Sequence, residues 1–235
     1  MTRKEGLYFY HRFLEKETSN IEAALVELDK AIEADPTNSD YYLIRGRWLY
    51  DRGKFEPAIL DLTKVAELSS KLNDIVEAHR LLAISHGELG DFSSLINDLD
   101  WLIDNDFADD RTYMWRGHQH ERSGNYPQAI LDFTKVLEIN PNHEPALMNR
   151  AQMHYRMQHY EQAEYDLSKL LGIDNQHPNA LKFGYHWRGM ARYQMGKTEE
   201  ALDDFNEVLR LRGETPVEDV SEYLTLSSDS SWWHS

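Results

Sequence analysis

Three stretches of the chain share one pattern of residues: YLIRGRWLYDRG at 42–53, YMWRGHQHERSG at 113–124 and YHWRGMARYQMG at 185–196. Successive copies begin 71 and 72 residues apart. Weaker copies lie between them, HRLLAISHGELG at 79–90 and LMNRAQMHYRMQ at 147–158, so the period is about half of that spacing, roughly 34–38 residues. A local catalytic site does not recur at a fixed period, and the pattern therefore indicates a repeated architecture.

Each copy is followed by a second segment whose apolar residues recur at helical spacing. Examples are FEPAILDLTKVAEL at 55–68 and YPQAILDFTKVLEI at 126–139. A turn residue, usually glycine, separates the two segments. Each unit is therefore predicted to be a helix, a turn and a second helix.

These units resemble the tetratricopeptide repeat, in which a first helix with a small residue precedes a second helix with an A-x3-F element and a closing proline. The A-x3-F element is carried by Ala58/Leu62, Ala129/Phe133, Ala163/Leu167 and Ala201/Phe205. The resemblance implies an all-α fold, a single right-handed solenoid over residues 5–226 with about six helix-turn-helix repeats and a C-terminal capping helix. The predicted repeats are 5–38, 39–72, 76–109, 110–143, 144–177 and 182–215, followed by a cap at 216–226 and a flexible tail at 227–235. Longer loops are expected where extra residues separate the repeats, between the second and third repeats and around NQHPNALK at 175–182.

The composition limits the classes of partner. With 25 Lys and Arg residues against 41 Asp and Glu residues, the net charge of −16 would repel nucleic acid and anionic membranes. The chain has no cysteine, no run of apolar residues long enough to span a membrane and no signal-peptide pattern at its N-terminus. We therefore expect a cytoplasmic protein that binds neither nucleic acid nor membranes. No motif for catalysis, a metal ion or another cofactor is found, and no enzyme activity is expected.

Two sets of polar residues recur in step with the repeats. An arginine before the small residue of the first helix is followed sixteen residues later by an aspartate in Arg45/Asp61, Arg116/Asp132, Arg150/Asp166 and Arg188/Asp204. This register predicts an ion pair between the two helices of each unit. His86, His120 and His154 also share one position, but equivalent residues of neighbouring repeats lie roughly 8–10 Å apart, too far to share one metal ion.

The family resemblance implies that the first helices line a binding groove. The residues that the resemblance places in this groove are Arg47, Arg80, Arg111, Met114, Trp115, His118, Arg122, Asn149, Gln152, Tyr155, Arg156, Phe183, Trp187, Met190 and Tyr193. His186 occupies an equivalent repeat position and is expected in the groove as well. Aromatic residues and arginine commonly anchor interfaces, and methionine adapts to varied partners. The expected function is a non-catalytic scaffold or adaptor that binds another protein or peptide with apolar anchors and acidic groups.

Other functions are weighed against this one. Some members of the family hold acidic C-termini in a carboxylate clamp of lysine, asparagine and arginine, but the matching residues include Met114, Phe183 and Trp187, which do not fit that clamp. The alternative is an inhibitor or immunity-type protein whose acidic outer surface blocks a basic partner. A further hypothesis is that the tail, with Trp232 and Trp233, occupies the groove of the same molecule or self-associates with a neighbour.

Overall fold

The protein is all-α, as predicted. The structure, a computed structural model, describes residues 3–16, 21–174 and 177–227, and these form thirteen helices. Their bounds are α1 Arg3–Lys16, α2 Ile21–Ala34, α3 Ser39–Asp51, α4 Phe55–Leu68, α5 Leu72–Glu88, α6 Phe92–Asp104, α7 Asp110–Arg122, α8 Tyr126–Ile139, α9 Glu144–Arg156, α10 Tyr160–Leu171, α11 Pro178–Gln194, α12 Thr198–Arg212 and α13 Val220–Ser227. The predicted tail, with Trp232 and Trp233, lies outside the described residues from 228 onward.

The chain forms two compact units, Met1–Ala108 and Asp109–Ser235. In the first unit, α1 packs on α2, α3 on α4 and α5 on α6. In the second unit, α7 packs on α8, α9 on α10 and α11 on α12, and α13 packs on α12. The helices are thus packed in sequential pairs.

The small residues of the first helices allow the paired helices to approach closely. A Cβ atom added at Gly117 would lie 2.7 Å from a ring atom of Phe133, and one at Gly189 would lie 2.5 Å from a ring atom of Phe205. Both phenylalanines are fully buried. Interiors packed at this density leave no room for an added methyl group, and the repeat therefore requires glycine at both positions.

In the second to sixth helix pairs, the turn between the two helices contains a residue with a left-handed backbone. Gly53, Gly90, Gly124 and Gly196 have φ angles between 67° and 76°. In the fifth pair Gln158 takes this place with φ of 62°. A side chain in this region is strained, whereas glycine adopts it without steric cost.

Replacing Gln158 with glycine is expected to stabilise the protein by about 0.5–1 kcal/mol, because the strain at φ of 62° is removed without loss of a buried contact. Chemical denaturation of the variant and the parent measures the difference. The matched control is Gly124→Ala, at the equivalent turn of the fourth pair, which should be destabilising. A Gln158→Gly variant less stable than the parent would contradict the interpretation.

The extra residues between repeats extend helices instead of forming the predicted loops. Both α5 and α11 have 17 residues, whereas α7 and α9 have 13. In α11 the extension begins at Pro178, and proline fits the first helical turn because its missing N–H has no partner there. His177 caps the same turn by accepting a hydrogen bond from the Asn179 N–H. The prediction of a loop over 175–182 was therefore wrong for residues 178–182.

The cap begins later than predicted, at Val220 and not at residue 216. Asp219 starts the helix by accepting a hydrogen bond from the Glu222 N–H at 3.0 Å. The preceding segment is held in a non-helical path by Asn206, whose side chain bonds both the N–H and the carbonyl of Val217. Val217 and Val220 are buried.

Candidate functional site

The recurring arginine and aspartate form the predicted ion pairs in four helix pairs. In each case the guanidinium spans both carboxylate oxygens, as in the Arg150–Asp166 pair at 2.6 and 2.8 Å. The aspartates Asp61, Asp132, Asp166 and Asp204 are all buried. The same geometry is found in Arg45–Asp61, Arg116–Asp132 and Arg188–Asp204. These groups hold the two helices of a pair together and are therefore not available to a ligand.

The third helix pair keeps the buried aspartate but replaces the arginine. Leu82 stands at the arginine position, and two histidines contact Asp98 instead. His79 Nδ1 lies 2.9 Å from one carboxylate oxygen and His86 Nδ1 lies 2.8 Å from the other. The His79 ring also stacks on Trp101 at 4.0 Å. The sequence pattern did not reveal this arrangement, because His79 lies outside the sixteen-residue register.

At the shared histidine position, two of the three residues lie against the buried aspartate twelve residues later, His86 against Asp98 and His120 against Asp132. His120 lies 3.8 Å from Asp132, whereas the Nδ1 atom of His154 is buried and has no hydrogen-bond partner among the described residues. Burial lowers the pKa of His154. The three histidines thus face the interior of their helix pairs, in agreement with a packing role.

Aromatic residues cluster on the first helices of the second unit. The Tyr155 ring of α9 meets the Trp187 ring of α11 edge to face at 5.1 Å, and Phe183 lies 6.1 Å from Trp187. All three side chains are half-buried, and burial raises the pKa of Tyr155. We call these residues, together with the other predicted groove residues of α7, α9 and α11, the first-helix surface; the others are Met114, Trp115, His118, Asn149, Gln152, Met190 and Tyr193.

The exposed members of this surface lie on α7 and α11. Trp115 on α7 is 37% exposed and Tyr193 on α11 is 39% exposed. Met114 and Met190 are half-buried against the neighbouring cores. The surface therefore combines rings fixed by packing with rings that remain accessible.

Polar groups connect α7 to α9 on the same surface. The His118 Nε2 atom lies 3.4 Å from the Asn149 amide nitrogen, and its Nδ1 atom lies 3.4 Å from Glu121. Gln152 is half-buried one turn further along α9. His118 and Asn149 thus belong to one network, although the sequence places them in different repeats.

The predicted arginines differ in their environments. In the second unit, Arg111 is 78% exposed and lies 3.6 Å from Asp109, and Arg122 is exposed at the end of α7. Arg156 donates to the Tyr126 hydroxyl at 3.1 Å and lies over its ring. In the first unit, Arg47 pairs with Glu77 and Arg80 donates to the Phe107 carbonyl at 3.2 Å.

His186 does not lie on the first-helix surface, contrary to the expectation from its repeat position. It is buried, and its Nδ1 atom lies 2.8 Å from the Tyr223 hydroxyl of the capping helix. The Tyr223 ring stacks on Phe205 at 4.0 Å and is fully buried. Burial lowers the pKa of His186 to about 4 and raises that of Tyr223. Docking of the cap therefore uses His186 and Tyr223.

None of the helices in the described residues is both long enough and apolar enough to cross a membrane.

Comparisons with known proteins find the same repeat. Two family models, both described as Tetratricopeptide repeat, match residues 111–143 and residues 184–215. The first match covers α7 and α8, and the second covers most of α11 and all of α12. The helix pairs that carry most of the first-helix surface are thus recognised as repeats.

Similar solved structures share the fold. YrrB, described as a TPR protein with an unusual peptide-binding site, is 14% identical, with a TM-score of 0.66 over 86% of this chain and 98% of that chain. MamA of AMB-1 is 19% identical, with a TM-score of 0.62 over 82% of this chain and 98% of that chain. MamA from Desulfovibrio magneticus RS-1 is 18% identical, with a TM-score of 0.59 over 74% and 94% of the two chains. The repeated helix pairs, the two repeat matches and the shared fold together establish that the chain is a tetratricopeptide repeat protein.

Proposed function

We propose that the protein is a non-catalytic adaptor that binds a peptide segment of another protein on the first-helix surface of its second unit. The observation that carries the proposal is the aromatic cluster of Tyr155, Phe183 and Trp187, together with the exposed Trp115 and Tyr193 on first helices of the same unit. Peptide binding by YrrB, which has the same fold, is consistent with this role.

Packing gives the cluster the properties of a binding surface. Tyrosine and tryptophan rings offer large contact areas at little cost in conformational entropy, and they dominate the energetics of many interfaces. The edge-to-face contact at 5.1 Å fixes Tyr155 and Trp187 before a ligand arrives. A ligand side chain can therefore pack against these rings without first ordering them.

The charges of this region favour a peptide with acidic groups. Arg111 and Arg122 are exposed on α7, and Arg111 lies 3.6 Å from the partly exposed Asp109. A weak exposed ion pair contributes little to stability, and Arg111 can exchange Asp109 for a ligand carboxylate at low cost. The arginines would thus orient a ligand that the aromatic rings bind.

Affinity capture tests the proposal. The full chain and a Trp115→Ala/Tyr193→Ala variant are used to capture proteins from the lysate of the source cells at low and at high salt, with identification by mass spectrometry. Both side chains are more than a third exposed, so the fold should survive their truncation. The affinity of the variant for the partner should be lower by about tenfold or more, because interface anchors of this type contribute about 1.4 kcal/mol or more each.

Tyr165→Ala provides the matched control, since Tyr165 is an aromatic residue that is 68% exposed on the second helix α10. This variant should capture the partner as the parent does, and the partner should be retained at high salt. A partner that survives the double variant but is lost in Tyr165→Ala or at high salt would indicate binding to the second-helix face. That result would favour the inhibitor or immunity-type alternative.

A further inference from the structure

The extension of α11 forms one wall of a pocket in the second unit. The first turn, with Asn179 and Ala180, precedes the repeat that was predicted to start at residue 182. Together with His177, Lys182 and Phe183, this turn faces Met148 of α9 and Val208 and Arg212 of α12. The extra residues at the start of α11 therefore contribute to the wall of this pocket.

The pocket has the size and lining of a ligand site. Its volume is about 430 Å³, within the range of roughly 300–1,000 Å³ typical of such sites. Met148, Ala180, Phe183 and Val208 form its apolar part. An aliphatic or aromatic side chain would bind favourably there because it leaves water for an apolar cavity.

The polar side of the pocket is basic, although the whole chain carries a net charge of −16. The Arg212 side chain is 12% exposed, and its Nε atom donates to Glu214 at 2.8 Å. Lys182 is half-buried and has no carboxylate within 4 Å in the part of the chain that the structure describes. Its positive charge is therefore available to a ligand at the edge of an apolar cavity.

We propose that this pocket binds an apolar side chain of a peptide whose neighbouring residue is aspartate or glutamate, with Lys182 pairing with that carboxylate. The inference rests on the proposed function, because Phe183 belongs to both the pocket and the first-helix surface. It adds a specificity site to that surface. A peptide with the apolar residue but without the acidic neighbour would fill the cavity and leave Lys182 unpaired.

Selection from a phage-displayed library of random dodecapeptides tests the proposal. The full chain is the target, and the enriched peptides are synthesised and titrated by fluorescence polarisation. We expect enrichment of an apolar residue next to an acidic one. Lys182→Glu should weaken the binding of these peptides by about tenfold, because attraction between a partly buried cation and a carboxylate becomes repulsion. The Met148 methyl resonance should shift on titration.

Lys135→Glu is the matched control, because it makes the same change in net charge at a lysine of α8 that does not line the pocket. It should alter affinity by less than about twofold, since long-range charge is screened by salt. Equal losses in the two variants would overturn the proposal, as would the absence of any enriched peptide. If the selected peptides depend on Trp115 and Tyr193 but bind Lys182→Glu as tightly as the parent, the proposed function stands and the pocket assignment is wrong.

Discussion

Replacing Asp166 with alanine is expected to lower the free energy of unfolding by about 3–5 kcal/mol, because it leaves the Arg150 guanidinium buried without its counter-charge. Asp166 is 1% exposed and accepts two hydrogen bonds from Arg150 at 2.6 and 2.8 Å. The remaining partner of Arg150, the Thr134 hydroxyl at 3.0 Å, is neutral and cannot replace the carboxylate. Urea denaturation followed by circular dichroism measures the loss.

Two further variants separate burial from charge pairing. Arg150→Met/Asp166→Leu removes both charges and should lose much less stability than Asp166→Ala. Apolar residues of similar volume fill the space and leave no buried charge without a partner. Glu138→Ala breaks the exposed Lys135–Glu138 pair and should cost less than about 0.5 kcal/mol. A loss below about 1 kcal/mol in Asp166→Ala would show that the ion pair does not hold α9 and α10 together.

Acid should destabilise the second unit through His186. Its pKa is lowered from the ordinary 6.5 to about 4 by burial against Phe205 and Tyr223. As the pH falls below 6.5, the unfolded chain takes up a proton that the folded His186 does not accept until about pH 4. Stability contributed by this group is therefore lost as the pH falls across that interval, by about 2 kcal/mol between pH 7.5 and pH 5.

The control is His186→Gln, which can still bond the Tyr223 hydroxyl but does not titrate. Denaturation of both proteins at several pH values should show a loss of stability that is smaller in the variant by about 2 kcal/mol over the same interval. His154, whose pKa burial also lowers, is present in both proteins and cancels in the comparison. The same pH dependence in parent and variant would exclude His186 as the acid-sensitive group.

The candidate site was only partly predictable. Trp115, Tyr155 and Trp187 lie on the first helices α7, α9 and α11, as their repeat positions predicted, because the period fixes which helix carries each residue. The same reasoning was wrong for His186, which its repeat position predicted to lie on the binding surface. His186 is buried because the cap packs on the last repeat, where another repeat would otherwise continue. The environment of each arginine also depends on side chains distant in sequence, as for Arg47 with Glu77 and Arg156 with Tyr126.

The sequence by itself determined the helix pairs, the close contacts at Gly117 and Gly189 and the four interhelical ion pairs. These features repeat with a fixed period, and each depends on contacts inside one short unit. The tertiary structure alone decided what does not repeat. The helical extension at Pro178, the two histidines that replace arginine at Asp98 and the docking of Tyr223 on His186 arise where a helix meets a neighbour that only the folded chain supplies.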